Sequence, residues 1–349
     1  MIKVLIVDDS RVVQEFLTHL FNSDPAFKVV GVAGNGEEAL QAVKEKRPDV
    51  ITVDINMPGM SGYEATAAIM ESVPTPIVIV SGYLRSKEVA SVFRAIEAGA
   101  LAVVLRPQGI GHLDHEAGTR ELLQTVRLMS EIKVVKLFRR AARERSSLPA
   151  VPLDLQRAVP EIQAVGIGAS TGGPPVLRRI LSGLPRDFPV PVFLVQHIAS
   201  VFDKGLAEWL SGSSRLQVRI ASHGEIAVPG HCYIAPNGFH LGVESGLRMV
   251  LNDQAPEHGV RPSVSCLFRS LAQALGPRAV GVLLTGMGRD GAEGLKAMKD
   301  NGAITIAQDK ESSVIHGMPG EAIQLGAATY VLPPEEIVSL LSTLGGKTN

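Results

Sequence analysis

The sequence predicts two α/β domains in tandem, each built on a parallel sheet with helices on its faces. Three observations lead there. Short Val- and Ile-rich runs alternate with segments whose apolar residues recur three and four apart, the pattern of strand followed by helix. A proline-bearing stretch with no helical period interrupts that alternation near residue 150. The length, 349 residues, is about twice that of a common domain. A hydrophobic content of 45% is enough for packed cores and excludes a wholly disordered chain. The 34 basic and 35 acidic side chains leave a net charge of -1, which speaks against a protein that coats nucleic acid.

In the first 110 residues the candidate strands are Val4–Val7, Val29–Val32, Val50–Val53, Ile77–Val80 and Leu101–Leu105. They are largely free of charge, as strands buried on both faces should be. Val12–Phe21, Glu37–Glu45 and Glu88–Ala98 carry helical spacing between them. Gly99 stands where a helix takes its C-terminal cap. Glu116 to about Arg145 reads as one long helix, or as a helix running into a linker. The basic residues from Lys133 to Arg145 read as a solvated face. Ser146–Pro160, with three prolines, is the expected linker.

The first chemical site is acidic. Asp8 and Asp9 follow the first strand, Asp54 ends the third and Ser81 ends the fourth. In a doubly wound sheet these positions converge beyond the carboxyl ends of the strands, where ligands bind. Three carboxylates together repel one another, and a hard cation such as Mg²⁺ relieves that. A carboxylate is also a nucleophile toward phosphorus, giving an aspartyl-phosphate. One Asp at a strand end is usually a helix cap; three, with a hydroxyl at a fourth strand end, fit that explanation poorly. The DD pair, VDINMPGMSG around Asp54, VIVSG around Ser81 and the pair Arg106–Pro107 resemble the receiver domains of two-component response regulators over about residues 1–125. The resemblance implies a flavodoxin-like receiver of five parallel strands. It also implies Asp54 as phospho-acceptor from a histidine kinase, Mg²⁺ held at Asp8, Asp9 and Asp54, and a switch through Ser81 and the cation before Pro107. That cation is Lys in the family and Arg106 here, a planar fork in place of a compact point charge.

From Glu161 a second α/β pattern starts. Its candidate strands are Ile162–Ile167, Val190–Gln196, Leu216–Ile220, His231–Ala235, Val280–Leu284 and Ala303–Ala307. Pro174–Leu181, Asp203–Leu210, Ser263–Ala274 and Gly291–Asp300 fit as helices. The stretch Gln217–Leu251 reads as β-hairpins, with turns at His223–Gly224, Pro229–Gly230, Asn237–Gly238 and Ser245–Gly246.

The second chemical site is a nucleophile constellation. The glycines of Gly166–Gly172 invite a dinucleotide-loop reading, but the acid wanted at the end of the next strand is missing; Gln196 and His197 stand there. The alternative is a G-x-S-x-G corner from Gly168 to Gly172 that lifts Ser170 between a strand and a helix. Serine needs a base, and a base needs an orienting group. His197 ends the next predicted strand, and Asp290 follows a later strand and opens a helix. Each alone has a dull explanation as a cap or a partly buried polar residue. All three at carboxyl ends of parallel strands read as a triad.

The order Ser, His, Asp differs from that of α/β-hydrolases, chymotrypsin and subtilisin. GASTGGPP (168–175), VQHI (195–198), YIAPNGFH (233–240), RPSV (261–264), LTGMGRDGAEGL (284–295) and AQDKESSVIHGMPG (307–320) resemble instead the chemotaxis protein-glutamate methylesterase (CheB) family. A receiver preceding that domain is also the family's architecture. The resemblance implies a receiver at 1–125, a helical extension and linker at 126–160, and a doubly wound methylesterase domain with a β-hairpin insertion at 161–349. It implies Ser170 as nucleophile, His197 as base, Asp290 as orienting carboxylate, and an oxyanion site at the Met287 N–H and around Thr171. The implied substrates are γ-glutamyl methyl esters on methyl-accepting chemoreceptors, with deamidation of receptor glutamines as a companion activity and no cofactor in the esterase domain. Ser265 stands where the family has Asp, and His316 where it has a larger apolar residue. Both lie off the triad and are expected to bear on substrate fit.

Two cysteines without a CxxC pair, no signal segment and no run long enough to span a membrane lead to the expectation of a cytoplasmic protein without membrane insertion. His223, His231, Cys232 and His240 match no zinc spacing. A binding module without catalysis is the competing class, resting on Arg106 and the basic segment.

Overall fold

The computed structural model describes residues 1–82, 86–109, 111–132, 134, 161–199 and 202–344, with 86–90 as backbone only. The chain divides into two compact units between Leu148 and Pro149.

The first unit runs β1 (Ile2–Val7), α1 (Arg11–Ser23), β2 (Phe27–Ala33), α2 (Gly36–Lys46), β3 (Val50–Val53), α3 (Gly62–Ser72), β4 (Ile77–Ser81), α4 (Ser86–Glu97), β5 (Ala102–Leu105) and α5 (His115–Ser130). The five strands pair in parallel in the order β2-β1-β3-β4-β5. Val4, Leu5, Ile6, Val50, Ile51 and Ile79 are fully buried, which is why these runs read as unbroken apolar sequence. Local chemistry starts the helices. Asn35 caps α2 by accepting the Glu38 N–H, and Ser61 with Glu64 forms a reciprocal capping box at α3. Strand order reverses between β1 and β3, so the residues after those two strands share a crevice.

Helix α5 stops at Ser130, where the Glu131 N–H bonds back to the Leu128 and Met129 carbonyls. The single long helix considered to Arg145 therefore ends about fifteen residues early. Most of the basic segment and the whole Ser146–Pro160 linker lie outside the described residues.

The second unit runs β6 (Ala164–Ala169), α6 (Gly173–Gly183), β7 (Val192–Gln196), α7 (Asp203–Ser213), β8 (Gln217–Ile220), β9 (His231–Ile234), β10 (His240–Glu244), β11 (Arg248–Asn252), α8 (Val264–Leu275), β12 (Ala279–Leu283), α9 (Ala292–Asp300), β13 (Ile304–Gln308), α10 (Met318–Gln324), β14 (Tyr330–Leu332) and α11 (Pro334–Thr343). Seven strands form one parallel sheet in the order β14-β13-β12-β6-β7-β9-β8. The order reverses at β6 and β12, making their carboxyl ends the expected crevice.

Two features differ from the sequence reading: the hairpin stretch, and β14, an edge strand that was not among the expected ones. Only β10 and β11 form an antiparallel hairpin; β8 and β9 pair in parallel instead. The four turns are real: Gly224, Gly230, Gly238 and Gly246 all have positive φ. A tight turn between two short strands signals a reversal, but here the chain also crosses over before pairing. The alternation at Gly166 and Gly168 is a packing device, not a nucleotide loop. A Cβ at Gly166 would stand 2.5 Å from Leu271 Cδ1, and one at Gly168 would stand 2.1 Å from Val264 Cγ1. Bare backbone on that face lets α8 lie directly against β6.

Candidate active site

Ser170 follows β6 immediately, and His197 follows β7. These strands are neighbours, with Ala169 opposite Gln196. The ladder continues into the site: His197 N–H bonds to the Ala169 carbonyl at 3.0 Å, and Ser170 N–H bonds to the Thr285 carbonyl at 3.0 Å. Asp290 lies in the loop from β12 to α9, and β12 is the other neighbour of β6. Parallel pairing thus delivers all three residues to one edge.

His197 Nε2 meets Asp290 Oδ2 at 2.9 Å. A carboxylate accepts, so Nε2 carries the proton and Nδ1 is left as the basic nitrogen. Ser170 Oγ makes no hydrogen bond to the ring in this structure, a common condition of catalytic pairs without substrate.

Asp290 is 3% exposed, and four donors compensate its burial. Oδ2 also accepts the Val264 N–H at 2.7 Å, while Oδ1 accepts the Ser263 hydroxyl at 2.8 Å and the Ser265 N–H at 3.1 Å. The carboxylate therefore sits on the N-terminus of α8, where backbone N–H groups and the helix dipole favour negative charge. Burial alone would raise its pKa; the His197 contact and these hydrogen bonds outweigh burial and hold it well below the usual carboxylate range.

This support is what sequence reasoning missed. Ser265 is fully buried, and its hydroxyl accepts the Gly291 N–H at 2.7 Å. It braces the loop that carries Asp290 and does not line a substrate surface, a correction of the expected role. Ser263 lies in the noted RPSV motif, and its S-x-x pattern before an apolar run was the available signal. Buried His240 accepts the Ser263 N–H at Nδ1 and donates from Nε2 to the Ala255 carbonyl, so it belongs to the same scaffold.

The loops around Met287 and Thr171, the expected oxyanion site, come close to Ser170. A Cβ at Gly286 would lie 2.7 Å from Ser170 Cβ, so this glycine lets the loop carrying Met287 come up against Ser170. Thr285 Oγ1 lies within hydrogen-bond distance of the Thr171 and Ile315 carbonyls, tying the GASTGG and HGMPG loops together. His316 is in the second of these loops, within 3.4 Å of the Ser313 hydroxyl. Burial first, and the Lys310 charge second, push its pKa down.

In the first unit, Asp8 and Asp54 follow Val7 and Val53, which are register partners. Asp54 is pushed up to about 6, first by burial and then by the Asp8 charge; the Asn56 and Ile55 N–H groups and Arg106 counteract this. Asp8 is also raised, again mainly by burial. Arg106 Nη1 lies 3.9 Å from Asp8 Oδ2. The buried Ser81 accepts the Arg106 N–H at its carbonyl, at 2.8 Å. Asp9 is exposed beside them. Buried Asp8 and half-buried Asp54, the first raising the pKa of the second, are a hard-oxygen pair short of positive charge, which is the chemistry Mg²⁺ suits. Among the described residues, however, no three His, Cys, Asp or Glu side chains are disposed as a ligand set. Among those residues, no helix is long and apolar enough to cross a membrane.

Comparison with known proteins agrees with both halves. Residues 4–117 match the model of the response regulator receiver domain, and residues 165–341 match that of the CheB methylesterase. A protein-glutamate methylesterase/protein-glutamine glutaminase of Nitrosospira multiformis is 55% identical over 347 residues, covering 99% of this chain and 97% of that protein. One of Geobacter metallireducens is 56% identical over 346 residues, covering 99% of each. The crystal structure of the Thermotoga maritima CheB methylesterase catalytic domain superposes with a TM-score of 0.51 at 41% identity, covering 52% of this chain and 98% of that one. With two relatives above half identity over almost every residue, and both domain models in the same order, the chain belongs to the CheB methylesterase family.

Proposed function

We propose that Ser170, His197 and Asp290 form the catalytic triad of a protein-glutamate methylesterase whose activity is controlled through Asp54. The observation that carries this is the 2.9 Å His197–Asp290 bond at the edge where β6 presents Ser170. Ser170 Oγ attacks the γ-carbonyl of a glutamate methyl ester while His197 Nδ1 takes its proton. The tetrahedral oxyanion forms beside the Gly286–Met287 backbone and Thr171, where N–H donors stabilise it. His197 then protonates the departing methanol. Water, activated by the same nitrogen, releases the glutamate and restores Ser170. The same steps with ammonia as leaving group would deamidate a receptor glutamine. Asp290 keeps the imidazole in the Nε2–H form and stabilises the imidazolium.

In the receiver, Asp54 is the phospho-acceptor from a histidine kinase. Asp8, Asp9 and Asp54 would hold Mg²⁺ once their side chains turn together as a ligand set, and the ion would supply charge neutralisation for the incoming phosphoryl group. Ser81 and Arg106 would sense that group, and the receiver would restrain the esterase until Asp54 is modified. Chemoreceptors are the substrates, and the cytoplasm is the place of action. The test is methanol release from methylated receptor by the full chain, with and without a phosphodonor. Ser170→Ala should abolish release; undiminished release would sink the mechanism.

A further inference from the structure

Gln196 is the last residue of β7, directly before His197, and only 4% exposed. Its Nε2 donates to the Ser170 carbonyl at 2.9 Å and to the His197 carbonyl at 2.8 Å. One amide group therefore holds the main chain of the nucleophile and of the base at the same time. The orientation is dictated, because the reverse placement would set an oxygen against two carbonyl oxygens. The consequence is visible on the other side of the amide. Among the described residues, Gln196 Oε1 is buried with no hydrogen-bond partner. It points at Gly173, where a Cβ would stand 2.2 Å from Oε1. An orphaned buried acceptor is a real cost, of a kind that native structures accept for a reason. Here the NH₂ is committed to two carbonyls, and the glycine makes room for the oxygen.

From this geometry we infer that Gln196 is a positioning residue for the esterase reaction, a clamp that sets the spacing between Ser170 and His197. The inference rests on the triad reading above. The clamp acts where the β-ladder ends. The last backbone bond between the two strands is His197 N–H to the Ala169 carbonyl, and the Gln196 amide adds a side-chain tie between Ser170 and His197 themselves. The second glycine of Ser170-Thr171-Gly172-Gly173 then has an assigned purpose. Gly172 supplies positive φ at the turn, and Gly173 seats Gln196. Displacement by about 1 Å between nucleophile and base costs on the order of 10²-fold in rate.

The test uses the full chain, a serine-directed fluorophosphonate, and two variants that reach the clamp from opposite sides. Gln196→Met keeps the length and removes both donors; Gly173→Ala keeps the donors and drives the amide out of place. Both the rate of Ser170 labelling and its final stoichiometry are followed, alongside the thermal melt. A positioning role predicts labelling about 10²-fold slower in both variants, with the stoichiometry still near one per chain. The slope of rate against pH should keep its midpoint, because the His197–Asp290 bond is untouched. Labelling at the parental rate would overturn the inference, and so would a parental rate with reduced stoichiometry, the mark of a merely structural lesion. If Gln196→Met does not fold, Gly173→Ala decides by the same two readings. A parental chain that takes no label at Ser170 would instead overturn the triad reading itself.

Discussion

Replacing Asp290 by Asn is the sharpest probe of the triad, because the carboxylate has donors on both oxygens. His197 Nε2 and the Val264 N–H point at Oδ2; the Ser263 hydroxyl and the Ser265 N–H point at Oδ1. An amide has only one oxygen. If its NH₂ takes the Oδ1 side, the Ser263 hydroxyl can turn and accept, but the Ser265 N–H faces a donor. If it takes the Oδ2 side, the Val264 N–H faces a donor and His197 must move its proton to Nδ1, leaving no base for Ser170. Either placement strands one buried backbone N–H, at about 1–3 kcal/mol. For a unit of this size that lowers Tm by roughly 2–12 °C. Either placement also removes the charge that stabilises the imidazolium. Loss of the orienting Asp in a Ser-His-Asp triad lowers kcat by about 10⁴, roughly 5 kcal/mol on the barrier. The placement that keeps the tautomer recovers part of this, so kcat should fall between about 10² and 10⁴ with KM nearly unchanged. Methanol release at saturating methylated receptor, paired with a thermal melt, measures both effects. A kcat above about a tenth of the parent, with Tm lowered as expected, would refute the orienting role and leave Asp290 as a brace of α8.

Three further outcomes follow from the two units. Asp54 binds its proton more tightly folded than unfolded, so the receiver loses stability as pH rises from 3.8 through about 6. Asp8→Asn or added Mg²⁺ should move the Asp54 midpoint down in a carboxyl-¹³C NMR titration; an unmoved midpoint would contradict the described charge coupling. Gly168→Ala forces a methyl group against Val264, costing about 1–3 kcal/mol. Because the Val264 and Ser265 N–H groups hold Asp290, kcat should fall at least about tenfold in the same variant; a folded variant with parental kcat would show that α8 does not set the carboxylate. Acyl-phosphate donors should still modify Asp54 with Arg106 in place, and Arg106→Lys should enlarge the rise in esterase activity. An unchanged rise would deny Arg106 any special part in the switch.

Most strands of both units were legible in the sequence because burial on two faces favours runs of Val, Ile and other apolar residues; β14, three residues at a sheet edge, was not. Val50–Val53 matches its strand end to end. That Ser170, His197 and Asp290 meet at one sheet edge was legible for a related reason, since residues at the ends of parallel strands stand next to glycine corners and helix starts. The fine structure around it was not. Ser263 and Ser265 act through one hydroxyl each on atoms 27 and 26 positions away, and no periodicity records a contact of that kind. Gln196 reads as the absence of a nucleotide-binding acid, when its importance lies in which two carbonyls its amide can reach. The pairing of β8 with β9 failed to show because turn residues announce a reversal whether or not the chain then crosses over.

The backbone of Ser170 and His197 is itself tied into the sheet. The Ser170 amide is bonded to the Thr285 carbonyl and the His197 amide to the Ala169 carbonyl. Those two protons should therefore exchange with solvent only when the central strands separate, as slowly as the core of the unit. Slow exchange at these two amides, unchanged by a phosphodonor, would show that the proposed control of the esterase leaves this part of the sheet in place.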